Sequence, residues 1–368
     1  MRPLLALAAV ASLAWPTAGC ANDRSLPADA SYVEVKVMSR NVYVGADVDQ
    51  VLSAQTPEEM FARVEEVWQM VLAADFNERA EVLADEIAAA RPHLAGLQEI
   101  SLLRTQSPGD AIVGGTVPAE DVAFDFLEIL MGELAERGLD YRAAAQVRDS
   151  DVEIPRGNAT FDDVRLTDFD VILARGDVEI ADVVAQNFTA RRVVPTPAGI
   201  QIEILRGWVA VDATIDGETF RFINTHLEPA ESNHLVQAAQ AAELIQILSV
   251  EYRPIILVGD LNTTADGSGT ATYETLLNEG YVDVWLRDAT PDGAGATCCH
   301  TVDLRNSVSL LDRRLDYVLL RNVAPLSVEA WVVGDEPSDR TGSGMWPSDH
   351  GGVVVRIFVS KSSVEHSP

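Results

Sequence analysis

An Asp216-Gly217 pair stands between two alternating runs, residues 207–215 and 219–225, and this constrains the chain more than any other local feature. Asp-Gly suits a tight turn with positive φ at its centre, so the two runs predict a β-hairpin. Its second strand delivers Asn224-Thr225-His226 at the exit. Polar residues at the end of an apolar strand recur along the sequence, and that recurrence organises everything below.

Residues 32–38 alternate Val33, Val35 and Val37 with polar partners and run into Ser39-Arg40-Asn41, which reads as a strand with Asn41 at its end. Thr56-Pro57-Glu58-Glu59 is a capping box with proline in the first helical position, and Phe61, Val64, Trp68 and Val71 follow at helical spacing. A second amphipathic run reaches Arg91, where Pro92 stops it. The short apolar strand 94–97 then places Gln98 and Glu99 at its end. Between 101 and 157 the pattern supports only a helix over 122–137 and a strand over 141–147, and a strand over 171–174 follows. Leu235, Ala238, Ala242 and Ile245 mark another helix. Residues 255–258 form an apolar strand ending in Gly259-Asp260, and 315–320 and 353–359 read as two more strands. Helices alternating with buried strands predict an α/β architecture. No fixed-period repeat appears, so residues 31–360 read as one domain.

The first residues, Met1-Arg2, an apolar stretch over 4–15 and Thr17-Ala18-Gly19-Cys20, have the layout of a secretory signal. Small residues before Cys20 suit lipoprotein processing, in which that cysteine is acylated and anchors the chain to a membrane; plain secretion is the alternative. Residues 21–30 read as a linker and 361–368 as a tail. The remaining cysteines, Cys298 and Cys299, can pair only with each other. Adjacent Cα atoms across a trans peptide lie about 3.8 Å apart, under the usual disulfide minimum of about 4.4 Å, so two free thiols stay open as the other reading. With 27 basic against 57 acidic residues the formal charge is −30, and only Lys36 and Lys361 are lysines. Such a balance opposes sequence-independent binding to duplex DNA, although a local arginine patch could restore it.

Asp260 and Asn262 stand two apart after a strand, so both side chains face one way and can address one phosphate or one attacking water. Alone, Asp-x-Asn is an ordinary turn. Pro347-Ser348-Asp349-His350-Gly351-Gly352 puts two titratable groups in a small-residue loop before a strand. Glu99 at a strand end suits a Mg²⁺ ligand. Asp316, inside the apolar stretch 315–320, needs a partner when buried. A histidine would serve, and Arg313 or Arg314 is the structural alternative.

The ordered set Asn41, Gln98-Glu99, Asn224-Thr225-His226, Gly259-Asp260-x-Asn262, Asp316-Tyr317 and Ser348-Asp349-His350 resembles the endonuclease/exonuclease/phosphatase superfamily. The resemblance spans about residues 32–359. It implies a four-layer αββα sandwich of two mixed β-sheets flanked by helices, and metal-dependent hydrolysis of phosphoester bonds. By the same resemblance Glu99 is the principal ligand of Mg²⁺, with Mn²⁺ or Ca²⁺ as alternatives, and Asn41 lies beside it as ligand and substrate contact. Asp260 and Asn262 place water and phosphate, and His226 stabilises the phosphoryl oxygens. Asp316 orients His350, and Asp349 supports the metal or the water. Three features depart from the pattern. Tyr43 stands where some nucleases of the family carry an acid, a place Asp47 could take. Asp168 and Asp170 replace a small residue. Thr297-Cys298-Cys299-His300 with Asp303-Leu304-Arg305-Asn306 resembles an exported bacterial subgroup.

The resulting expectation is an exported metal-dependent hydrolase of a phosphoester substrate, a phosphodiesterase or phosphatase acting on a lipid head group or small organic phosphate. An extracellular deoxyribonuclease is the second reading, and a catalytically dead binding protein on the same fold is the third.

Overall fold

The computed structural model describes residues 31–361 apart from 292. The signal segment, Cys20, the linker and all of the tail after Lys361 lie outside the described residues. In chain order the elements are β1 (Tyr32–Asn41), α1 (Asp49–Leu52), α2 (Pro57–Ala73), α3 (Phe76–Ala90), β2 (Leu94–Gln106), β3 (Asp121–Asp125), α4 (Phe126–Glu136), β4 (Tyr141–Pro155), β5 (Asp163–Arg175), β6 (Glu179–Asn187), β7 (Arg192–Pro195) and β8 (Gln201–Ile204). Then come β9 (Gly207–Ile215), β10 (Glu218–His226), α5 (Ala230–Leu248), β11 (Ile255–Asp260), α6 (Thr272–Asn278), β12 (Val282–Asp283), β13 (Asp316–Arg321), β14 (Ser327–Val333) and β15 (Gly352–Ser360). Among the described residues the strands form one nine-stranded sheet, ordered β14-β15-β1-β2-β5-β4-β8-β7 with β3 on β2, and one six-stranded sheet, ordered β12-β13-β11-β10-β9-β6. Both sheets are mixed.

Period-two alternation decides which residue enters which layer. Leu94, Ile172 and Ala174 join Val33, Val35 and Val37 in the core between the sheets, against Val209, Val211, Phe222, Ile256 and Val258. Their neighbours Ala95, Leu97, Val171 and Leu173 face the other way, onto Trp68, Phe76, Leu83 and Phe126 of α2, α3 and α4. The second sheet likewise turns Ala210, Ile223, Leu257 and Leu319 to Leu244 and Leu248 of α5 and Leu276 of α6. This is the expected αββα sandwich. Each fully buried aliphatic or aromatic side chain contributes about 1.5–3 kcal/mol.

The hairpin, the Thr56 cap and strand β1 stand where the sequence places them: Asp216 and Gly217 take φ of 49° and 89°, and the Thr56 side chain accepts from the Glu59 N–H at 3.1 Å. Other boundaries change. The helix expected from Val122 begins at Phe126, because Asp125 caps it by accepting from the Glu128 N–H at 3.0 Å, and 121–125 pair with β2 instead. Strand β2 does not stop at Leu97; its pairing with β5 slips between Leu97 and Ile100 and then resumes to Gln106. Consequently Asp168 and Asp170 lie within β5 rather than before it.

Candidate active site

Strand register brings the polar strand ends together. In the second sheet His226 pairs with Asp260, and Asp260 with Asp316, so three neighbouring strands present these side chains at one level. In the first sheet Asn41 is level with Gln98, and Glu99 occupies the slip in β2 with a left-handed φ of 60°. That bulge turns Glu99 out of the ladder and into the cleft. Asn224 ties the two sheets together here: its amide donates to the Leu97 carbonyl at 2.9 Å and the Val171 carbonyl at 3.0 Å, and its oxygen accepts from Gln98 at 2.7 Å. Gly96 permits the approach, since a Cβ there would sit 2.5 Å from Val258 Cγ2 and 2.7 Å from Asn224 Oδ1.

Asn41 Nδ2 donates to Glu99 Oε1 at 3.0 Å and to Asp260 Oδ2 at 3.3 Å, while its oxygen accepts from the Tyr43 N–H at 3.0 Å. Glu99 Oε2 accepts from the Val44 N–H at 2.9 Å. In this arrangement Asn41 bridges the two carboxylates. Asp260 Oδ1 accepts from the Asn262 N–H at 2.9 Å. Burial, then the Asp316 charge, push the Asp260 carboxyl up to about 7 despite His350, Asn262 and Asn41. Burial and the nearby Glu99 charge raise Asp349 to about 6 against the pull of His350.

His350 Nδ1 lies 2.8 Å from Asp316 Oδ2, and its Nε2 is 3.7 Å from Asp260 Oδ2. Burial opposes a charged ring, yet the carboxylates of Asp316, Asp260 and Asp349 outweigh it and hold His350 well above the ordinary histidine value. The arginines that might have taken Asp316 are engaged elsewhere: Arg314 pairs with Asp283 at 2.6 Å and Arg313 with Glu231 at 3.0 Å.

His226 has the opposite character. Burial, the Arg206 guanidinium and His350 hold it well below the ordinary value, so it is neutral. Arg206 Nη1 lies 2.9 Å from its Nδ1. Because guanidinium offers only donors, Nδ1 must accept and Nε2 carries the hydrogen. The Asn262 amide nitrogen, itself donating to the Leu227 carbonyl at 2.9 Å, lies 3.0 Å from that Nε2. Nε2 also stands 3.6 Å from Asp260 Oδ2, so the ring hydrogen and the Asn262 amide lie side by side against that carboxylate, where a phosphoryl oxygen could accept from them.

Two buried arginines hold the loops in place. Arg40 makes two bonds to the Glu86 carboxylate, at 2.9 and 3.0 Å, and also donates to the His350 carbonyl. Arg79 donates to the carbonyls of Ala74, Val42, Pro347 and Tyr43 at 2.7–3.0 Å. The loops after β1 and before β15 are thus fixed from below. Asp47 sits exposed at the cleft mouth, accepting from the Asp49 N–H at 3.1 Å. Cys298 and Cys299 bring their sulfurs together; Cys298 bridges the backbones of Arg313 and His350, and Cys299 faces the cleft.

Glu99, Arg206, His226, Asp260, Asn262, Asp349 and His350 line one cavity of about 590 Å³. Glu99 and Asp349 present oxygen to it, with Asn41 behind them, which is the hard donor chemistry that Mg²⁺, Mn²⁺ and Ca²⁺ prefer. Burial first, and then the charges of Asp316 on Asp260 and of Glu99 on Asp349, raise these two carboxyls, and a cation bound among them would offset the second contribution. Asp260, Asp316 and His350 also bring one ligand atom each within 4.8 Å of one another. His350 Nδ1 is committed to Asp316 there, which leaves Nε2 facing Asp260 Oδ2 at 3.7 Å.

The sequence matches the Endonuclease/Exonuclease/phosphatase family over residues 71–350. The chain belongs to that family. Its members are metal-dependent phosphoester hydrolases, and this chain is one by membership. Solved structures agree in fold. A family protein from Bacteroides thetaiotaomicron is 14% identical, with 90% of this chain and 100% of that one covered at a TM-score of 0.54. One from Leptotrichia buccalis C-1013-b is 17% identical, covering 88% and 99% at 0.52. D. rerio TDP2 complexed with single strand DNA product is 17% identical, covering 89% and 99% at 0.52. No curated protein matches the sequence.

Every catalytic or metal-ligating residue expected from the sequence of this family member falls in or against the one cavity. The residues that sequence reasoning missed are Arg206, Arg40, Arg79 and Glu86. Arg206 directly precedes the hairpin and Arg40 directly precedes Asn41, but nothing in composition distinguishes them from surface arginines.

Proposed function

We propose that the protein is an exported phosphodiesterase or phosphatase that uses Mg²⁺, or alternatively Mn²⁺ or Ca²⁺, on a lipid head group or small organic phosphate. The observation that carries phosphoester chemistry is the placement of His226 Nε2 and the Asn262 amide side by side against Asp260, in one cavity with Glu99, Asp349 and His350. Glu99 and Asp349, supported by Asn41, would hold the cation, which supplies charge neutralisation at the non-bridging oxygens. Asp260, with its carboxyl near 7, is suited to accept a proton from the attacking water near neutral pH. His226 and Asn262 donate to the phosphoryl group. Cationic His350, aligned by Asp316, stabilises charge as it builds on phosphorus-bound oxygen.

Electrostatics favour a small or lipid phosphoester over a polynucleotide. The cations lining the cavity among the described residues are Arg206, Arg313 and His350, against acidic side chains at Asp47, Asp49, Glu99, Asp149, Asp168, Asp260 and Asp349, and the whole chain carries −30. The N-terminal layout supports export, with acylation of Cys20 as the anchor. An extracellular nuclease is the second reading, supported by the Asp316–His350 pair, which serves any phosphodiester, and by a fold shared with a TDP2 solved with single strand DNA product. A dead binding protein is opposed by the intact constellation.

A panel of sphingomyelin, inositol phosphates, bis-p-nitrophenyl phosphate and plasmid DNA, run with Mg²⁺, Mn²⁺ or Ca²⁺ beside a Glu99→Ala control, tests the assignment. Turnover of one of the first three with weak plasmid cleavage supports it. Brisk, salt-sensitive plasmid cleavage with none of the others turned over reverses the order.

A further inference from the structure

The cavity has a second wall that the chemistry above does not use. Opposite Glu99, Asp260 and His350, the same space is lined by Leu52 of α1, Val67 and Trp68 of α2, Val152 of β4, Leu166 of β5 and Ile204 of β8. Most belong to one apolar cluster, in which the tip of β4 and the β7–β8 hairpin meet α1 and α2. Several of the lining side chains, Leu52, Val67, Val152, Leu166 and Ile204, remain only partly buried. A hydrated apolar surface of this kind, continuous with a catalytic cleft, is unfavourable until something apolar covers it.

We infer that this wall binds the apolar part of the substrate itself, a hydrocarbon chain or ring esterified to the phosphate that reaches Asp260 and His350. This rests on the phosphoester reading given above and narrows it: the substrate carries more than a polar head group. Continuity decides the occupant. A group held against Leu52 and Val152 shares one cavity with the His226 and Asn262 donors, so a single molecule can bridge the two walls. A polynucleotide would instead set its phosphates along a surface that carries the Asp47 and Asp49 carboxylates at its mouth. Such charges repel a polyanion and leave an uncharged chain unaffected.

The test is a series of methyl, butyl, hexyl and octyl p-nitrophenyl phosphates with Mg²⁺, held below their micelle-forming concentrations, with a phenyl and a naphthyl ester as the ring arm. The expected result is a rise in kcat/KM of between about twofold and fourfold per added methylene, the upper figure being the worth of a fully buried CH₂. A steeper gain for rings than for chains of equal carbon number identifies an aryl substrate, and the reverse an alkyl one. Val152→Asp should lower kcat/KM for the octyl ester at least about tenfold more than for the methyl ester, as expected when a few methylenes lose their burial. Leu52→Trp, which narrows the chamber without adding charge, should do the same if the aspartate variant fails to fold. Metal-dependent hydrolysis with no dependence on chain or ring size, or variants that retain the full dependence, overturns the inference while leaving the phosphoesterase reading intact. Absence of metal-dependent hydrolysis across the whole series removes the reading on which it rests.

Discussion

Arg206 donates from Nη1 to Nδ1 of His226 across 2.9 Å, and this contact sets the protonation of the ring. A carboxylate in that place would favour imidazolium; the guanidinium disfavours it and leaves the hydrogen on Nε2, aimed into the cleft.

Replacing Arg206 with alanine therefore has a defined signature. In the native protein His226 stays neutral through the range where free histidine titrates, because burial, Arg206 and His350 all lower its pKa. In Arg206→Ala the second of these is gone, so the pKa rises and the ring titrates at higher pH than in the native chain. Histidine ring resonances followed by NMR across pH 5–8 read this directly. His226→Ala, which removes the donor itself, should cost about a hundredfold or more in kcat. An unchanged His226 titration in Arg206→Ala would show that the guanidinium does not govern it.

The Asp316–His350 pair at 2.8 Å predicts a shift in the alkaline limb of the rate profile. Although burial opposes it, His350 is held well above its ordinary value by Asp316, Asp260 and Asp349, and its charged form is the useful one. Asp316→Asn removes one of those charges, so His350 loses its proton at lower pH. The alkaline limb of kcat should move toward acid, and kcat at its optimum should fall about a hundredfold. A fall in kcat with an unmoved limb would limit Asp316 to holding the fold.

Legibility of the sequence followed how local each signal was. The Asp216-Gly217 turn and the Thr56 capping box are fixed by neighbours within four residues, and both stand as read. Glu99 was legible as a polar strand end, but the continuation of β2 beyond it was not, because the bulge at Gln98-Glu99 breaks the alternation that identifies a strand. Strand β3 lost to helical periodicity in the residues after it, and only the Asp125 cap separates the two. Arg40 and Arg79 were illegible for a different reason. Their partners, Glu86 and the carbonyls of Val42 and Pro347, are distant in sequence and become neighbours only when α3 docks on the first sheet. The apolar wall of the cavity was equally hidden, since Leu52, Val67, Val152 and Ile204 come from four elements spread along the sequence.

Two carboxyls off the reaction path carry a stability prediction. Asp149 and Asp170, on β4 and β5, are both buried; burial raises Asp149 to about 8 and, with the Asp149 charge, Asp170 well above its ordinary value. The unfolded chain releases these protons near the ordinary aspartate value of 3.8, whereas the folded chain retains them. Between those values the folded state binds more protons, so stability falls as pH rises through the window. The native Tm should drop between pH 5 and 8, and Asp149→Asn should lessen the drop. Parallel curves for the two proteins would contradict a raised Asp149 carboxyl.

The central claim is that crowded carboxylates at Glu99, Asp260 and Asp349 form a cation-dependent phosphoester site. Hydrolysis of bis-p-nitrophenyl phosphate, first in excess chelator and then after titration with Mg²⁺ or Mn²⁺, tests it most directly, with Glu99→Ala alongside. Activity should vanish in chelator, return on adding metal, and stay at least about a hundredfold lower in the variant at saturating metal. Full activity in excess chelator, or a Glu99→Ala enzyme as fast as the native one, would contradict it.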